Sequence, residues 1–185
     1  MSTVTAPAAT TSTWNIDSVH SSAQFKVKHM MISNVKGEFT TITGSLKYDG
    51  KNIANSYVEA SIDATAINTR DAQRDAHLKS PDFFDVEKFL ALTFKSTSIS
   101  KKADGELAVA GELTIHGVTR PVVFEVEGPS VPMKDPWGNT RLGLSASTHI
   151  SRKDFGLTWN STLETGGILV GDEVAISLDV QFIKA

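Results

Sequence analysis

The chain has 185 residues, 40% hydrophobic and 21% charged, with a formal net charge of -3 and no cysteine. This length suits one domain with a sizeable core. The balance excludes a basic nucleic-acid footprint, disulfides, a thiol nucleophile and Cys-ligated metal or iron–sulfur centres. No apolar run approaches the ~20 residues of a membrane-spanning helix. Met1 to Thr13 is rich in Ser, Thr, Ala and Pro, without a basic segment or an apolar stretch. It is expected to be a disordered tail rather than a signal peptide, which places the chain in the cytoplasm. The folded domain is then expected over residues 14–185.

From Trp14 onward the residues alternate with period 2, as half-buried strands do. Phe25, Val27 and His29 share one face. Val35, Gly37, Phe39, Thr41 and Thr43 share the next. Val58, Ala60, Ile62 and Ala64 follow, then Leu92 and Phe94. Leu107 to Ile115, Val122 to Val126, Leu142 to Ile150 and Val174 to Phe182 complete the series. Turn signals separate these runs at Ser33-Asn34, Asp49-Gly50, Asp104-Gly105, His116-Gly117, Gly128-Pro129 and Lys134–Asn139. The spacing predicts about eight antiparallel strands, wet on one face, that close into an up-and-down barrel. A two-sheet sandwich of similar strand count has the same turn spacing and remains the alternative. One segment breaks the period. Asn68 to Ser80 reads as a short helix capped by Asn68, with Asp75 and Lys79 paired and Pro81 ending it. Such a helix suits a plug at one barrel end, with its charges paired to each other or to Arg152–Asp154.

The chemistry-bearing residues form no motif. Of His20, His29, His77, His116 and His149, no two have metal-ligand spacing, so no metal site is expected. There is no G-x-S-x-G elbow and no phosphate loop. His29 lies in phase with Phe25 and Val27, either as a core-edge histidine or as a donor to a ligand's polar end. The clusters Arg70–His77 and Arg152–Asp154 suit acid–base work or structural ion pairing.

Three blocks carry a family likeness: Trp14–Ser21 with Phe25–Met30; Thr69–Asp85 running into Leu92–Ser96; and Gly111–Val122 with Asp135–Gly138 and Ser151–Leu157. Together they resemble the YceI-like family of polyisoprenoid-binding proteins, over about Trp14 to Phe182. The resemblance implies an extended, lipocalin-like, all-β antiparallel barrel. Its long internal pocket would take a polyisoprenoid, an isoprenoid quinone or a similar amphiphile, with no settled catalytic activity and no other cofactor. It also implies a transport or stress-response role, homodimers in some members, export of others, and membrane redox partners of cytochrome b561 type. Where the family usually has proline after the F-F-D-V-x-K string, this chain has Leu90.

The expected function is therefore non-catalytic binding of a long apolar lipid. Phe25, Val27, Phe39, Val58, Ile62, Phe84, Leu92, Phe94, Leu113 and Phe124 are the expected pocket residues. His29, Arg74, His77 and Arg152 are expected at the barrel mouth or the ligand's polar end. Two rivals stand beside this reading: an enzyme using His29, His77 or Arg152 on a lipid or quinone, and a packed structural barrel.

Overall fold

A computed structural model describes residues 11–185. The alternating runs become eight staves of one closed antiparallel wall. The first stave is β1 (Ser12–Ile16) with β2 (Ser22–His29), broken by a 3-10 turn over Ser18–His20. The second is β3 (Ser33–Phe39) with β4 (Ile42–Tyr48). The third is β5 (Tyr57–Asp63) with β6 (Ile67–Asn68), broken by a turn over Ala64–Ala66. After the helix α1 (Ala72–Lys79) come β7 (Ala91–Lys101), β8 (Leu107–Ile115) and β9 (Val118–Glu127). A short β10 (Met133–Lys134) then precedes β11 (Thr140–Ser151) and β12 (Val170–Lys184).

Each stave pairs with the next in sequence, and β12 pairs with β11 on one side and with β1 and β2 on the other. That last pairing removes the free edges, so the wall is a barrel and not the sandwich. The breaks in the first three staves bend long strands around the curve. The tail expected over Met1–Thr13 falls mostly outside the described residues. Its end does not, since Ser12 and Thr13 pair with Tyr48 and Lys47 in β1 and β4.

The loops divide between two ends. The helix end carries the β2–β3 turn, α1 with its flanks, the β8–β9 turn and the β11–β12 loop. The other end carries both termini of the barrel and the β9–β10 loop. Here Trp14, 2% exposed, packs with Leu46, Leu142, Val180 and Phe182. The buried residues fall into four clusters rather than one. Something must lie between them, and it is the cavity described below.

Two local expectations are corrected. The helix starts at Ala72, and its cap is Asp71, whose side chain accepts from Arg74 N–H at 2.9 Å. Asn68 instead belongs to β6, and its side chain accepts from Arg70 N–H. The turn expected at Ser33-Asn34 lies at Met30–Ile32, with Ser33 and Asn34 already paired in β3.

At the terminal end, Arg141 bridges two carboxylates. It donates to Asp17 and, at 2.7 Å, to Asp135. The Arg141 hydrogen bond, then the one from His20, holds the Asp17 carboxyl down at about 2. The same arginine holds Asp135 well below the usual carboxylate range. Both groups titrate lower in the fold than in the unfolded chain. Their contribution is complete above the ordinary value of 3.8; that of Asp17 is lost as pH falls through about 2, and that of Asp135 lower still. Arg141→Gln should therefore lower the melting temperature at neutral pH. It should also flatten the melting-temperature curve across that acid window, read by calorimetry at stepped pH. An unchanged curve would mean that the bridge contributes nothing.

Candidate binding cavity

Alternation turns one side chain in two toward the barrel axis. The inward set is almost wholly apolar, and it surrounds a cavity of about 360 Å³ that runs the length of the barrel. Near the helix end the wall includes Phe25, Val27, Val35, Phe39, Phe84 and Leu92. Further along it includes Val58, Ala60, Ile62, Phe94, Leu144, Ile176 and Leu178, and it reaches Ile16, Tyr48 and Phe182. Several of these are only half-buried, because they face this space rather than packed atoms.

The aromatic rings lie along the wall and leave the axis clear. Phe25 pairs across the strands with Gly37, and a Cβ there would stand 2.3 Å from Phe25 Cζ. Gly111, paired with Ser96 and so diagonal to Phe94, also lies under a ring: a Cβ there would stand 2.5 Å from Phe94 Cζ. Each glycine gives its ring a place to lie flat. Phe94 then meets Phe124 edge-on, with centroids 5.1 Å apart.

All ten expected pocket residues lie on this wall, as do His29, Arg74, His77 and Arg152. The four polar residues differ in what they have free. Arg152 is 4% exposed. Its Nε donates to Gly171 O at 2.8 Å, its Nη1 to Leu157 O and Trp159 O at 2.6 and 2.9 Å, and its Nη2 to Val170 O at 3.3 Å. Burial pushes its pKa down, opposed by Asp172, whose Oδ1 is 3.6 Å away. This guanidinium ties the β11–β12 loop across the barrel end. His77 hydrogen-bonds Asp82 at 2.8 Å and stands edge-on to Trp159, centroids 4.7 Å apart. Arg74 spends Nε and Nη2 on Thr69. His29 has no side-chain hydrogen bond among the described residues, and it lies at the helix end beside Lys28 and Leu169.

The helix covers this end, but not through the expected pairs. Asp75 accepts from Thr69 N–H at 2.8 Å instead of meeting Lys79. Arg74 and Asp75 thus converge on Thr69. The link to the β11–β12 loop is the aromatic stack of His77, Phe83 and Trp159 rather than an ion pair with Arg152–Asp154. Sequence reasoning left out Trp159 and Leu169, which sit in a loop without periodicity. It also left out Ala60, Leu144, Ile176 and Leu178, which share the alternation of their neighbours. Among the described residues no three His, Asp or Glu side chains gather as metal ligands.

A closed antiparallel barrel around an apolar cavity, capped by one helix, is the lipocalin-like architecture. The YceI-like domain family matches residues 14–182, and the chain belongs to this family. A UPF0312 protein of Vibrio parahaemolyticus is 43% identical over 136 residues, 74% of this chain and 71% of that protein. A UPF0312 protein of Staphylococcus aureus is 35% identical over 169 residues, 91% of this chain and 96% of the relative. Among solved structures, BcnA of Burkholderia cenocepacia aligns with a TM-score of 0.76 at 22% identity, covering 90% of this chain and 98% of its own. The Campylobacter jejuni YceI protein aligns at 0.70 and 29% identity, over 85% and 90%.

Proposed function

We infer that the protein binds a long apolar isoprenoid lipid or isoprenoid quinone inside the barrel and acts as a non-catalytic carrier. The observation that carries this reading is the continuous apolar wall from Phe25 and Leu92 to Tyr48 and Phe182. A flexible polyprenyl chain is poorly soluble in water, and each methylene-sized group moved into such a wall contributes about 0.8 kcal/mol. Ten groups supply roughly 8 kcal/mol before ordering and association costs are subtracted. The polar end of the ligand then belongs at the helix end, where the His29 imidazole is free to donate or accept. A structurally similar domain from Saccharophagus degradans, aligned at a TM-score of 0.68 and 14% identity, is described as polyisoprenoid binding. That is consistent with the reading, and the cavity is the argument for it.

Mass spectrometry of organic extracts from the purified protein tests it. The expected result is a stoichiometric polyprenyl species, as a hydrocarbon or as the tail of a quinone. Extracts holding only phospholipid acyl chains, or no lipid after reconstitution with polyprenols and ubiquinones of graded length, would overturn it.

A further inference from the structure

The β2–β3 turn exposes Met30, Met31 and Ile32 by 39%, 58% and 79%. Ile32 N–H donates to His29 O at 3.2 Å, which makes Met30 and Met31 the two central residues of the turn. Their φ values are 52° and 60°. Positive φ at both positions is the form that hairpin turns fill with Asn and Gly. The β8–β9 turn follows that rule at its second position, with Gly117 at φ 71°. Methionine is strained in this conformation, so turn chemistry does not explain the pair. Core packing does not explain it either, since both side chains stand outside.

The turn is nonetheless held in place. Met30 N–H donates to Leu169 O at 2.8 Å. Leu169 lines the cavity, and its neighbour Ile168 is 38% exposed. Hairpin tip and β11–β12 loop therefore make one apolar edge beside the cavity's helix end. Behind the tip, the outward face of β2 and β3 carries Lys26, Lys28 and Lys36, all exposed. Lys26 stands directly opposite Lys36, an arrangement that repels itself in water. None of the three enters an ion pair among the described residues. Glu38, the acid on this face, sits at the far end of it, opposite Gln24.

We propose that this edge docks on an anionic lipid bilayer, with Met30, Met31 and Ile32 in the headgroup–acyl boundary and Lys26, Lys28 and Lys36 on lipid phosphates. Apolar insertion and basic attraction act together in such binding. The cavity's helix end then faces the membrane. A second exposed apolar group, Val131, Met133 and Trp137, lies at the opposite end and serves as the comparison.

Docking goes beyond the carrier reading and is tested without a cavity ligand, by co-sedimentation with vesicles. The probes are equimolar phosphatidylcholine–phosphatidylglycerol vesicles and phosphatidylcholine vesicles. The protein should bind the anionic vesicles and release them as salt rises. Met30→Asn with Met31→Gly supplies the residues that the turn prefers. That variant should melt no lower than the parent, yet bind vesicles about tenfold or more weakly. Lys26→Gln with Lys36→Gln should weaken binding by roughly tenfold or more and reduce its salt dependence. Trp137→Ser should bind like the parent. The proposal is overturned if the parent shows no preference for anionic vesicles, if the turn variant binds undiminished, or if Trp137→Ser is the change that abolishes binding.

Discussion

Arg152→Ala should lower the unfolding free energy by about 3–5 kcal/mol, the range for stripping a buried charge network of one partner. The side chain is 4% exposed and satisfies four backbone carbonyls: Leu157, Trp159, Val170 and Gly171. Alanine leaves the Leu157 and Trp159 carbonyls without their donor, while Val170 O keeps Asn160 Nδ2 at 2.8 Å and Asp172 keeps Lys153 at 3.2 Å. Lysine should rescue only part of the loss, because three donors on a point charge cannot span a fork of carbonyls. Urea titration should show a lower midpoint at nearly unchanged slope. The loop carrying Trp159 should also loosen, and with it the His77–Phe83–Trp159 stack over the barrel end. A midpoint within experimental error of the parent would show that the four contacts are dispensable.

The second large effect is on ligand binding. Ala60 faces the cavity in the middle of β5, between Gly44 and Phe94 on the neighbouring staves. Ala60→Trp fills space the ligand needs. Excluding about four methylene-sized groups from the wall removes roughly 3 kcal/mol, near two orders of magnitude in affinity. Stability should change little, since the indole enters a cavity rather than a packed core. Titration with a fluorescent polyprenyl analogue reads the affinity, and thermal melting reads the fold. Undiminished affinity in a folded Ala60→Trp protein would place the ligand outside the barrel.

Much of this wall was legible before any coordinates. A strand of period 2 has only two faces, and although a one-residue shift of register inverts them, an apolar face is the expected inward one. That is why Phe25, Val27, Phe39, Val58 and the other expected pocket residues lie together on the cavity. Phe94 shows the limit of the pattern. Alternation places it inward, but whether an inward ring is packed or borders a void depends on what the opposite staves supply. Here it is half-buried, lying over Gly111 beside the cavity.

The sequence by itself determined an approximate count of eight strands, the alternation along them, the approximate position of the helix and the family. These rest on local periodicity and on contiguous motifs, which no distant contact can alter. It did not determine the inward face of every stave: Thr41 and Thr43, grouped with Phe39, are exposed, whereas Ile42 and Leu46 are buried. Only the tertiary structure decided closure, because a barrel and a sandwich share turn spacing and differ only in whether β12 pairs with β1, β2 and β11 at once. It also decided the role of Arg152, whose four carbonyl partners come from a loop without periodicity. The Arg141 bridge belongs here too, since it joins Asp17 to a residue 124 positions away. The β2–β3 turn was placed at Ser33-Asn34 because those are turn-forming residues, whereas the strand register puts Met30 and Met31 at the turn. Register is fixed by burying Phe25, Val27 and Val35 on one face, and that burial outweighs the local preference of two residues at the tip.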